Sequence, residues 1–194
     1  MKFIRNLLAI IGLAAVLAVG AAALGYGQRL ASFDPGFAKT YGDFAQRLLA
    51  TGDPGVAMMW AIPVKEGLSP DDVIEAMKSI ASARNFLFVG ESPFYKQIEA
   101  ITGEKYRYVN FLSFCDAQVG KQMLEYRDQY SGFMPCRIAV VEDAQQKIWL
   151  VMMDWNPDWL ESTNKPIPDT LRDGARRLRQ KVEDMIQAGA SGAL

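Results

Sequence analysis

The chain has 194 residues, 50% of them hydrophobic and 22% charged, which is room for one folded domain and a short apolar segment. Its 21 basic and 22 acidic side chains give a formal charge of -1, which argues against nucleic-acid binding. The absence of histidine excludes serine–histidine and cysteine–histidine catalytic pairs and removes the usual zinc, copper and haem ligand. We expect no metal, cofactor or catalytic group, and the composition leans away from an enzyme without excluding one.

An uncharged apolar run, Leu7 to Tyr26, follows the basic residues Lys2 and Arg5. As a helix this run would be about 30 Å long, which is the thickness of the hydrocarbon core. A cleaved signal peptide is the alternative, since the small residues at 19–23 resemble a cleavage region. The run is longer than a typical signal core, so we predict an anchor, or an uncleaved signal, over residues 1–27.

Positive charge is concentrated before the apolar run, whereas the basic residues after it are accompanied by acidic ones. By the positive-inside rule, the N-terminus is cytoplasmic and residues 27–194 lie on the other side. In a bacterium this would be a single-pass inner-membrane protein with a periplasmic domain.

Residues 28–67 are predicted to form a juxtamembrane amphipathic helix and the first strand. Asp34 is a candidate N-cap and Gly52 a candidate stop. Three aromatic residues recur at helical spacing between them: Phe37, Tyr41 and Phe44. We expect this aromatic face to pack on the domain or on a partner, with the lipid headgroup layer as the alternative.

The next elements alternate between strands and helices. An apolar segment over Gly55–Val64 predicts a strand, and Pro63 places it toward a sheet edge. The following elements are a helix from Ser69, a strand over Phe86–Glu91, a helix from Ser92 to Gly103 and a strand over Tyr106–Cys115.

Asp116 is predicted to cap a further helix, after which "CRIAVVED" and "KIWLVMMD" form a hairpin. Apolar residues at helical spacing from Leu171 to Ile186 predict the last helix. The order favours an α+β fold, a two-layer sandwich of helices on a mixed sheet of about five strands.

Three segments carry a family resemblance: "FCD" at 114–116, "FMPCRIAVVEDAQQKIWLVMMD" at 133–154, and "NKPIPDTLRDGARRLRQKVEDMIQAGASG" at 164–192. Together they resemble the bacterial domain of unknown function 302 (DUF302), in the branch with a Pro-Cys-Arg-Ile strand start. The resemblance covers residues 68–192, which we take as the domain. It implies a compact α+β sandwich that commonly pairs into dimers, and no settled enzymatic activity.

Cys115 and Cys136 are the candidate functional residues, together with their neighbours Asp116 and Arg137. Two cysteines outside the cytoplasm suggest a structural disulfide. Two buried thiols are the second interpretation, and a reactive or ligand-binding pair is the third. In that third case Arg137 would favour a thiolate, although successive strand residues point to opposite faces.

Trp155 and Trp159 occupy a segment in which related sequences look richer in methionine. Together with Phe37, Tyr41 and Phe44, these two tryptophans suggest a surface for docking a partner. Two functional hypotheses follow. In the first, an anchored noncatalytic domain binds a partner: other membrane-protein subunits, for instance of an electron-transfer complex, or a second copy. In the second, the cysteine pair carries redox chemistry or binds small molecules or sulfur species.

Overall fold

The computed structural model describes residues 2–193. Its helices are α1 (Lys2–Ala31), α2 (Phe37–Thr51), α3 (Pro54–Ala57), α4 (Pro70–Ala83), α5 (Phe94–Thr102), α6 (Ala117–Tyr126), α7 (Pro157–Glu161) and α8 (Asp169–Ser191), and a 3₁₀ helix spans Asp128–Phe133. Its strands are β1 (Met59–Pro63), β2 (Leu87–Ser92), β3 (Val109–Cys115), β4 (Cys136–Glu142) and β5 (Ile148–Met153). The predicted order is confirmed, and α3, the 3₁₀ helix and α7 are added to it.

The five strands form one open sheet in the order β1-β5-β4-β3-β2. This confirms the α+β class and the number of strands. Every pairing is antiparallel, however, whereas the sequence predicted a mixed sheet. The helix α5 connects β2 to β3, yet these two strands are antiparallel neighbours, so an intervening helix does not create a parallel pair here. As Pro63 predicted, β1 is an edge strand.

The core lies on one face of the sheet, under α4, α6 and α8. Alternate residues of the inner strands are buried there because strand side chains alternate between faces: Leu112, Phe114, Ile138, Val140, Leu150 and Met152. The helices contribute the opposing layer: Val73, Met77, Val119, Met123, Leu171, Leu178, Val182, Met185 and Ile186. Over most of its area the opposite face carries no helix, and α5 reaches it at Phe94, whose ring lies 5.4 Å from that of Phe111.

Two predicted boundaries are wrong for local reasons. Residues 54–57 form the short helix α3, because the Asp53 side chain accepts hydrogen bonds from the first amides of that turn, so β1 starts only at Met59. Asp34 does not cap α2. The helix begins at Phe37 with Gly36 as its N-cap residue, and the Asp34 carboxylate accepts a hydrogen bond from the amide of Gly36 rather than from an amide of the helix. The predicted stop at Gly52 is confirmed by its left-handed conformation.

The helix α1 is long and apolar enough to cross a membrane, and none of its residues is buried against the rest of the chain. Five residues, 32–36, separate it from α2. The candidate membrane span therefore leads almost directly into a helix that contacts the domain.

The close approach of α8 to α4 at Gly189 can be tested by substitution. A Cβ at Gly189 would lie 2.5 Å from Met77 Cγ and 3.1 Å from Leu150 Cδ1, both in the core. We expect Gly189→Ala to lower the free energy of unfolding of the full chain by about 1–3 kcal/mol through overpacking, measured by urea denaturation in mild detergent.

Gly42→Ala is the matched control, since Gly42 is also helical and a Cβ added there would have nothing within 4 Å. It should raise stability by about 0.5–1 kcal/mol, because alanine is the better helix former. Equal effects of the two changes would contradict the packing at Gly189.

Candidate functional site

The two cysteines lie at adjacent strand ends, Cys115 at the end of β3 and Cys136 at the start of β4. The strand register places Cys136 opposite Phe114 rather than opposite Cys115. Both thiols are free and half-buried, so the predicted disulfide is not present in the structure.

Both cysteines line a small cavity at this corner of the core, together with Asp116, Met134 and Trp155. Its volume is 20 Å³, which is room for about one water molecule. Gly120 leaves no extra space in this cavity, because a Cβ added at Gly120 would lie 2.9 Å from Met134 Sδ. The cavity brings four of the predicted site residues together, Cys115, Asp116, Cys136 and Trp155, but is too small for an organic substrate.

The electrostatics of this corner disfavour a thiolate. Burial, with Cys115 and Asp116 adding to it, raises the pKa of the Cys136 thiol to about 11. Burial and then Asp116 also raise the pKa of Cys115. Both thiols are therefore protonated near neutral pH, which is the opposite of the activated state that a nucleophilic cysteine needs.

Asp116 has a structural role at this site. Its Oδ1 accepts hydrogen bonds from the amides of Gln118 and Val119, which confirms it as the N-cap of α6. Its Oδ2 accepts a 2.6 Å hydrogen bond from Lys181 on α8. Although burial opposes the charge, these bonds hold the pKa of Asp116 below its usual range, so the carboxylate ties α6 to α8.

Arg137 lies outside the small cavity that the two cysteines line, although it lines a larger groove together with Cys136. Strand alternation points its exposed side chain to the other face of the sheet, where its guanidinium lies 5.4 Å from the ring of Phe111. The arginine therefore cannot activate the thiol that precedes it in the sequence.

The aromatic residues predicted for docking contact one another within this chain. The rings of Phe44 on α2 and Trp159 on α7 meet edge to face at 6.1 Å. The Phe37 ring lies 4.5 Å from that of Tyr41, which stays exposed. Trp155 packs against the core and is half-buried. Of the aromatic face of α2, Phe44 thus packs on the domain, and the role of Phe37 and Tyr41 in binding a partner stays a prediction.

A charged cluster at the end of β5 holds α2 and α8 together. Asp154 accepts one hydrogen bond from Arg47 on α2 at 2.5 Å and another from Arg179 on α8 at 2.8 Å. Arg179 also pairs with Glu183 and lies 4.6 Å from the ring of Trp60. Partial burial opposes the charge of Arg179, but its bonds to Glu183 and Asp154 raise its pKa above the ordinary value.

Arg47 extends this connection, because its second nitrogen donates to the carbonyl oxygen of Met59 in β1 at 2.9 Å. Sequence reasoning missed this Asp154 cluster (Arg47, Asp154, Arg179 and Glu183). A signal was available: Asp154 directly follows the apolar run of β5, where a half-buried carboxylate needs a cationic partner. Two such partners, more than 100 residues apart in sequence from each other, cannot be identified by local spacing.

Comparison with known proteins gives a family match and a similar fold. The family model described as "Domain of unknown function DUF302" matches residues 60–189. The fold is similar to that of a crystal structure titled as an uncharacterized conserved protein DUF302 from Bacillus stearothermophilus, with 12% identity and a TM-score of 0.55 over 68% of this chain and 97% of that one. No curated protein matches the sequence.

The raised thiol pKa predicts slow alkylation. With Cys115→Ser leaving Cys136 alone, we expect iodoacetamide at pH 8 to modify the folded chain roughly a hundredfold more slowly than the urea-unfolded chain, since little thiolate is present below a pKa of about 11. The rate should climb as the pH rises toward 11. Because the unfolded thiol ionises first, stability should fall with rising pH over the same window.

Cys136→Ser provides the comparison, since it leaves Cys115, whose pKa is also raised. A rate for Cys136 that is fast and already constant between pH 7 and pH 8 would show a stable thiolate and contradict the protonated state.

The Asp154 cluster predicts how α2 is attached. Arg47→Met removes the ion pair and the bond to Met59, so amide hydrogens of residues 37–51 should exchange about tenfold faster. Lys39→Met is the matched control on the same helix, because Lys39 forms only an exposed pair with Asp43. Exchange that is equally fast in both variants would show that the cluster does not hold α2.

Proposed function

This chain belongs to the DUF302 family, and from that premise we propose that it is a membrane-anchored, noncatalytic subunit whose domain binds a neighbouring protein in the same membrane. The apolar helix α1 forms the anchor, α2 and α3 connect it to the domain, whose sheet begins with β1, and the domain lies on the periplasmic side.

The attachment of α2 to the domain is the observation that carries this proposal. A linker rich in glycine and serine would behave as a flexible coil and would let the domain move away from its anchor. Here only residues 32–36 separate α1 from α2, and α2 is joined to the domain by the Asp154 cluster, by Phe44 against Trp159, and by Ser162 bonded to Thr40 at 3.1 Å. This arrangement keeps the domain next to the point where α1 ends.

The chemistry of the cysteine corner supports a noncatalytic role. The cavity holds about one water molecule and the thiols are protonated, so the corner has neither room for an organic substrate nor an activated nucleophile. Within residues 2–193 no group of three candidate metal-ligating side chains occurs either. The thiol-based alternative has no specific observation in its favour.

Native assembly tests the proposal. After solubilisation of native membranes in a gentle detergent, the chain should migrate as an assembly larger than one copy in a micelle. Co-expression of two differently tagged copies separates the two kinds of partner, because only a homodimer brings both tags into one complex. A wild-type chain that migrates only as a lone monomer would overturn the proposal.

Two variants connect the assembly to the attachment of α2. Arg47→Met should lower the assembled fraction, since a loosened domain is less constrained in orientation next to the membrane. Lys39→Met should leave the assembled fraction unchanged. An assembled fraction that is equal in both variants would separate partner binding from the Asp154 cluster.

A further inference from the structure

The face of the sheet that α4, α6 and α8 leave uncovered carries a groove of 620 Å³. Its floor is built by register: Ser113 lies opposite Arg137, and Ala139 lies between Phe111 and Val151. These side chains are half-buried or exposed, since strand alternation directs their neighbours Leu112, Ile138 and Leu150 into the core. The volume is in the range of about 300–1,000 Å³ that is usual for small-molecule sites.

The groove carries a single charged side chain. Arg137 is the sole charged residue among those that line it, and the rest of the lining is mostly apolar. Within residues 2–193 Arg137 forms no ion pair, which is also true of the exposed Arg107 and Arg127, so what distinguishes Arg137 is its place in an apolar groove. Its one aromatic contact, with Phe111, orients the guanidinium without neutralising it. The groove thus presents an unpaired cation at an apolar surface.

We propose that this groove binds a small amphiphilic carboxylate, an alkyl or aryl chain that ends in one carboxylate group. The carboxylate pairs with the guanidinium of Arg137, whose planar fork of donors matches a carboxylate in two parallel hydrogen bonds. The Ser113 hydroxyl, on the neighbouring strand, is a further donor. The apolar part of the ligand lies along Ala139, Val151 and Met153. This site is independent of the proposed membrane assembly.

A second copy of the chain fits the same face less well. A two-fold interface places one patch against the same patch of its partner. The residues lining this groove include no acidic side chain, so two copies would bring two guanidiniums into the interface without a counter-charge. A separate anion satisfies the cation that a second copy leaves unpaired.

Binding of octanoate and octanol to the full chain in lipid nanodiscs tests the proposal. The two probes share a similar apolar chain and differ in the charged head, and empty nanodiscs give the membrane background for equilibrium dialysis. We expect saturable binding of one octanoate per chain, with octanol at least about tenfold weaker because it lacks the charge-assisted bonds. Lengthening the carboxylate should raise the affinity by up to about fourfold per methylene.

Arg137→Gln should weaken octanoate binding about tenfold and leave octanol unchanged. Arg107→Gln is the matched control, because Arg107 is also an exposed arginine beside an aromatic ring, 5.9 Å from that of Tyr106, and lies outside the groove. Ala139→Trp should fill the groove and weaken both probes. Circular dichroism and thermal unfolding verify that each variant is folded.

Three results would overturn the proposal. Equal affinity for octanoate and octanol, with no effect of Arg137→Gln, would show a purely apolar surface. Carboxylate binding no greater than to empty nanodiscs would show that no site exists. A stable dimer that excludes octanoate and dissociates with Ala139→Trp would assign this face to a second copy.

Discussion

The half-buried carboxylate of Asp154 connects three elements of this molecule: α2, the end of β5 and α8. It lies directly after β5 and accepts hydrogen bonds from α2 on one side and α8 on the other. Left unpaired, a carboxylate with 20% of its side chain exposed would carry a substantial desolvation cost, so both arginines are held in place by the need to neutralise it. The helix α2, which follows the apolar helix α1, is thereby joined to the same carboxylate as α8, which packs over the core.

The fold was largely predictable from the sequence because its signals are local. The helix start at Ser69, whose side chain accepts a hydrogen bond from the amide of Asp72, and the helix stop at the left-handed Gly52 each depend on a few neighbouring residues, and each appears in the structure. The strand pairing was less predictable. A helix between two strands is compatible with either a parallel or an antiparallel pair, and the choice depends on where the sheet places the strands.

The candidate site was predicted less well, for a reason that follows from sheet geometry. Adjacent residues in a strand project to opposite faces, so the side chains of the sequence neighbours Cys136 and Arg137 point in opposite directions, although both residues line the groove at this end of the sheet. Cys136 joins the core beside Phe114, and Arg137 joins the open face beside Phe111. The reverse error occurs at Asp154, where Arg47 and Arg179 are distant in sequence but meet at one carboxylate.

The two faces of the sheet also explain how cysteine and arginine acquire different chemical properties at consecutive positions. On the covered face, packing leaves 20 Å³, and burial there keeps the Cys136 thiol protonated. On the open face, which α5 reaches only at Phe94, the surface is concave, and within residues 2–193 Arg137 forms no ion pair. A ligand needs both an accessible volume and an unsatisfied interaction. The open face provides an accessible volume beside Arg137, whereas the cavity that both cysteines line holds about one water molecule.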